Sequence, residues 1–165
     1  MGRGQSGRSV EGVDEMASMK RPCLRAVQPR PGARLELTFT NGQRYDLDLS
    51  DSLAAYPGLA PLAKGNAFQG ATLGDGGWTV EWPALDIQIG ADSLLLDALA
   101  QTAPDENTRI FISWRLRHRM TLDQAAEALG VSARSISRYS SGREAVPRTL
   151  ALACLGWEAL EREAA

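Results

Sequence analysis

"QAAEALGVSARSISRYSSG" runs from Gln124 to Gly142 and sets two stretches of helical spacing on either side of one glycine. In the first, Leu122, Ala125, Ala126 and Leu129 fall on one apolar stripe. Thr121 and Gln124 fit a capping box, in which the threonine hydroxyl and the glutamine side chain each satisfy a backbone N–H of the first turn. Gly130 is predicted to close this helix in the left-handed conformation, which glycine adopts cheaply. Val131 then plugs the turn and Ser132 caps a second helix. Ala133, Ile136 and Tyr139 are spaced by three and are expected to point inward. Arg134, Ser135, Ser137, Arg138 and Ser141 are left on the outward side.

That outward side is unusual for a purely structural pair, which would more often carry glutamate and lysine. A helix that gives a narrow apolar edge to its own domain and the rest to the DNA major groove needs such residues. Forked arginine donors suit guanine O6 and N7 as well as phosphates, and short hydroxyls suit phosphates or base edges at close approach. The positive end of the helix adds an anion site at Ser132. The alternative is a solvated helix face with no ligand.

Charge points the same way. The chain of 165 residues has a formal net charge of −2. From Leu35 to Pro104, 2 basic residues stand against 9 acidic ones, a net of −7. From Arg109 to Arg148, 8 arginines stand against 3 acidic residues, a net of +5. A basic segment inside a mildly acidic chain suggests a polyanion for that segment alone. Arg115, Arg117 and Arg119 precede the capping box; Arg115 and Arg119 share a face while Arg117 points elsewhere, and all three are candidates for phosphate contact or for a solvated helix end.

Upstream, the periodicity changes from helical to alternating. Leu35, Leu37 and Phe39 alternate with polar residues, Asn41-Gly42 follows, and Tyr45, Leu47 and Leu49 alternate again, which predicts a hairpin with both turn residues at positive φ. "ATLGDGGWTVEW" predicts a second hairpin that turns at Gly74–Gly77, with Trp78, Val80 and Trp82 on one face and Pro83 ending the strand. "GLAPLAKGNAF" is too broken for more than a turn of helix, and "DIQI" fits a short strand. Asp92 is predicted to cap a helix whose Leu95, Leu96 and Leu99 share one side. Pro104 marks a boundary, because helix is disfavoured at the residue before it.

"MTLDQAAEALGVSARSISRYSSGREAVPRTLALACLGWEAL" resembles the helix-turn-helix of the lambda-repressor-like class of bacterial regulators, the Cro/cI or xenobiotic-response-element type. Ala126, Gly130, Val131, Ile136 and Gly142 stand where that pattern has its small residue, turn glycine, plug, core aliphatic and post-helix glycine. The resemblance implies that Ser132, Arg134, Ser135 and Arg138 face DNA. Two positions depart from the pattern: Leu122 stands where a phosphate-contacting glutamine is frequent, and Ser140 where a glutamate is common. "LTFTNGQRYDLDL" with "GGWTVEWPALDIQIGADSLL" is similar to a family of small bacterial domains of unknown function. Some of its members carry a C-terminal helix-turn-helix, and some are encoded beside toxin genes. This second resemblance covers about residues 22–100 and implies a fold and an antitoxin-like context, with no chemistry.

Other constellations carry less. Asp46, Asp48 and Asp51 could suggest a hard-metal site, but Asp46 and Asp48 share a strand face, which is read as solvated instead. His118 is the single histidine and has neither a nucleophile nor an orienting partner in the sequence. "GDGG" lacks the Gly-Lys-Ser/Thr ending of a phosphate loop. Trp78 and Trp82 are candidates for base stacking or for packing. Cys23 and Cys154 form no motif, and Cys154 lies on an apolar stripe.

The sequence thus predicts an α+β chain: a disordered leader over residues 1–20, a small β-hairpin-rich domain over 21–102 and an all-α helix-turn-helix domain over 105–165. Met16 and Met19 are alternative starts to Met1. The expected function is sequence-specific binding of duplex DNA by a transcriptional regulator or antitoxin-type autorepressor. Thr121, Ser132, Arg134, Ser135, Ser137 and Arg138 are the expected DNA-binding residues. The chain is read as a cytoplasmic non-enzyme with no cofactor, metal or membrane contact. A homodimer and a toxin bound through the N-terminal domain are its expected protein partners. The alternative is a toxin-neutralising interaction module whose helices only pack.

Overall fold

The computed structural model describes residues 22–165, so the leader and its candidate start sites at Met1, Met16 and Met19 lie outside the described residues. The described chain divides into two compact units, Pro22–Ala98 and Leu99–Ala165.

The first unit holds two three-stranded antiparallel sheets. One joins β1 (Leu24–Arg30), β2 (Arg34–Phe39) and β3 (Arg44–Asp48) in that order. Alternation buries Leu35, Leu37 and Phe39 of β2 with Leu47 of β3 on one face. On the other face Arg34 lies 3.2 Å from Asp46 and 3.5 Å from Asp48, so these carboxylates meet a guanidinium. A helix, α1 (Ser50–Ala55), and 3-10 turns over Pro57–Ala63 and Ala67–Gly70 lead to the second sheet. That sheet joins β4 (Thr72–Leu73), β5 (Thr79–Trp82) and β6 (Ile87–Gly90). Trp82 is buried against Phe68 and donates its indole N–H to the Phe68 carbonyl at 2.9 Å. A helix, α2 (Ala91–Gln101), follows directly.

The expected fold class is corrected here. The chain is α+β with its β part N-terminal, but that part is two three-stranded sheets rather than two hairpins with one helix. β1 escaped the sequence reading because Pro29 argues against a strand. Here β1 is an edge, where the missing N–H costs no ladder bond. Three local expectations change as well. Only Gly42 of the Asn41-Gly42 pair has positive φ, at 90°. Asn41 instead accepts the Gln43 N–H on its side-chain oxygen at 3.0 Å, which stabilises the turn from outside the left-handed region. Trp78 precedes β5 in a helical conformation and is 41% exposed, so it does not share the buried face of Val80 and Trp82. Asp92 lies inside α2, whose buried side is Ala91, Leu94, Leu95 and Ala98 rather than Leu95, Leu96 and Leu99.

The second unit contains α3 (Glu106–Arg117), α4 (Leu122–Leu129), α5 (Ala133–Ser140) and α6 (Arg148–Ala164). Asp105 caps α3 by accepting the Thr108 N–H at 2.8 Å. α3 packs along α6, and α4 packs on both α5 and α6. Phe111, Ile112, Trp114, Ala125, Ile136, Ala151 and Cys154 form the core. Trp114 meets Trp157 edge to face at 5.6 Å between centroids, and Phe111 meets Tyr139 likewise at 6.0 Å. Burial pushes the Cys154 thiol up to about 12, with the nearby Glu158 carboxylate adding to the effect. Among the described residues, no helix is long and apolar enough to cross a membrane.

Candidate nucleic-acid interface

The Gln124–Gly142 stretch forms two helices of eight residues each, α4 and α5, with defined ends. Both halves of the capping box are made: the Gln124 N–H donates to Thr121 Oγ1 at 3.1 Å, and the Thr121 N–H donates to Gln124 Oε1 at 3.0 Å. Gly130 closes α4 at φ 70°, ψ 30° and donates its N–H to the Ala126 carbonyl. Ser132 caps α5 by accepting the Ser135 N–H at 3.1 Å. The two hydroxyls also meet, with Ser132 donating to Ser135 Oγ at 3.0 Å.

α5 is divided lengthwise. Ile136 and Ser140 are buried, and Tyr139 is half-buried against Phe111. Arg134 and Arg138 are exposed, with Ser135 and Ser137 at the rim. Arg134 and Arg138 stand four residues apart, hence on one face. Arg138 lies 3.9 Å from Glu144, with both side chains about half exposed, a loose pair that leaves the guanidinium accessible. Arg134 makes no ion pair or side-chain hydrogen bond among the described residues. Thr121, at the start of α4, is exposed and shares no hydrogen bond with the α5 residues. Arg119, at φ 50°, and Arg143, just past Gly142, add two exposed cations at the ends of this stretch.

Of the arginines before the capping box, Arg115 and Arg117 are neither free for phosphate nor a merely solvated helix end. Arg115 is buried; its guanidinium donates to Ser140 Oγ at 2.7 Å and to the Met120 carbonyl at 3.1 Å and 3.3 Å. Arg115 thus ties α3 to α5 and to the turn before α4. Ser140, a departure from the lambda-repressor-like pattern, is the acceptor that this arginine needs. The legible clue was a polar residue at an inward position of α5. Arg117 and His118 both meet Glu158 of α6, through Arg117 Nε at 3.1 Å and His118 Nε2 at 2.9 Å. Burial pulls the Glu158 carboxyl upward, but the hydrogen bonds and charges of Arg117 and His118 outweigh it and hold the group below its ordinary value. His118 is therefore a packing and pairing residue, seated edge to face against Trp157 at 4.9 Å.

Residues 24–98 match the model of a family described as protein of unknown function (DUF2442). A solved structure resembles most of the chain: the crystal structure of "Putative DNA Binding Protein NE0471" from Nitrosomonas europaea ATCC 19718. It is 35% identical to this chain, with 83% of this chain and 86% of that one covered and a TM-score of 0.53. No curated protein matches the chain.

Proposed function

We propose, from the premise that this chain belongs to the same family as the Nitrosomonas europaea protein, that it binds duplex DNA as a sequence-specific transcriptional regulator. The observation that carries the reading is the lengthwise division of α5. Its apolar edge holds the helix to its own unit, and its accessible side offers two arginines and short hydroxyls. In this reading α4 and α5 work as a helix-turn-helix pair within residues 105–165. Arg134 and Arg138 read base edges, and Ser135 and Ser137 allow the helix to come close. Ser132 and Thr121, at the two helix N-termini, hold phosphates, where helix dipoles favour anions. The name of the relative supports DNA as the ligand.

The N-terminal part, residues 21–102, serves as the protein-contact domain; its acidic residues concentrate after Leu35, and a basic toxin is the partner that segment's charge fits. The protein is then an antitoxin-type autorepressor of the cytoplasm, a binding protein rather than an enzyme. Fluorescence anisotropy on duplex DNA from the region upstream of its own coding sequence tests this, with a scrambled duplex beside it at two salt concentrations. The expected result is tighter binding to the native duplex that weakens as salt rises. Equal binding to both duplexes, or none at low salt, overturns the regulator reading and leaves the interaction module.

A further inference from the structure

The last helix carries a stripe of which its own unit uses only one end, where Arg148 donates to Asn107 Oδ1 at 3.1 Å. α6 buries Leu150, Ala151 and Cys154. Opposite them, Leu152 is 48% and Leu155 42% exposed, while Leu160, at 66%, lies off the face those two share. Arg148, Leu152, Leu155, Gly156, Ala159 and Glu163 recur at the three- and four-residue spacing of a single helix face. Isolated exposed leucines are ordinary, but leucines aligned along one face mark a contact surface.

The order along this stripe names the occupant. Run in the opposite direction, it complements itself about a point between Leu155 and Gly156. Arg148 falls opposite Glu163, Leu152 opposite Ala159, and Leu155 opposite Gly156. Every pairing sets a positive charge against a negative one or a large side chain against a small one. Gly156 is the least expected residue here, since a glycine inside a helix costs about 1 kcal/mol relative to alanine. Nothing among the described residues requires it: an added Cβ would meet none of their atoms within 4 Å. A second helix crossing closely at that point supplies the missing reason.

We infer that the exposed face of α6 is the interface with a second copy of this chain, the two α6 helices packing antiparallel about a two-fold axis between Leu155 and Gly156. Such an interface is isologous, each copy presenting the same patch. Opposed helix dipoles favour the antiparallel arrangement as well. A specific pair buries upward of about 1,000 Å², and a single helix face lies at the low end of that range. This inference needs no DNA and stands apart from the proposed function.

Sedimentation equilibrium of the DNA-free full-length protein at tens of micromolar tests it. The wild type is expected to sediment as a dimer. Leu155→Glu is expected to sediment as a monomer with an unchanged circular dichroism spectrum, since the residue it replaces is solvent-facing. Arg148→Glu and Glu163→Arg should each weaken the dimer several-fold, and the double variant should recover it, because reversing both charges restores the pairing. A monomeric wild type, a Leu155→Glu dimer, or a double variant that fails to recover overturns the inference. The reciprocal rescue does not depend on any variant losing its fold.

Discussion

At the residue scale, arginines that look alike in sequence separate into two kinds. Arg115 is buried and satisfies Ser140 and the Met120 carbonyl; Arg134 and Arg138 face outward. Their substitution should have opposite signatures. Arg115→Ala leaves the buried Ser140 hydroxyl and the half-buried Met120 carbonyl without their donor and should cost about 2–3 kcal/mol in urea unfolding. Arg134→Ala should change stability by less than about 0.5 kcal/mol. Glu158 gives a pH signature. Its carboxyl is held below its ordinary value, so its contribution to stability is complete above the unfolded pKa of about 4.3 and is lost as pH falls through the lowered one. Thermal melts between pH 6 and roughly pH 3 should show Glu158→Gln losing less on acidification than the wild type. Little of this was legible beforehand. "RLRHR" reads as a run of cations, and only the folded chain brings Glu158 and Ser140, far along the sequence, beside them.

At the scale of elements, legibility followed how local the cause was. Thr121, Gln124, Gly130 and Ser132 act within a few residues of themselves, and their expected capping and turn roles are all realised. β1 and α1 were invisible, because β1 is held by its pairing with β2 and Pro29 masks it. The buried side of α2 was misjudged for the same kind of reason, since what packs on it is distant in sequence. Gly130 offers a test at this scale. Its φ of 70° is strained for any side chain, although a Cβ there would meet no neighbour. Gly130→Ala should therefore destabilise by about 1 kcal/mol through the backbone alone, measured by urea unfolding.

At the scale of the whole molecule, charge separates by segment, with an acidic stretch from Leu35 to Pro104 and a basic one from Arg109 to Arg148. A net of −2 conceals this, and bulk charge alone would not suggest a polyanion ligand. Composition makes the asymmetry legible, but it cannot tell which cations are spent internally. Arg115 and Arg117 are spent, on Ser140 and Glu158; Arg134 and Arg138 are accessible. The salt dependence of DNA binding should accordingly depend on few contacts, each lost phosphate contact flattening the log–log slope by about 0.9. The most direct test of the account is the affinity of the wild type and of the Arg134→Ala/Arg138→Ala variant for one upstream duplex, measured side by side by fluorescence anisotropy. The variant is expected to keep its fold and lose at least about tenfold, more than 1.4 kcal/mol. Equal affinity of the two proteins would contradict it, because α5 would then not be the surface that meets DNA.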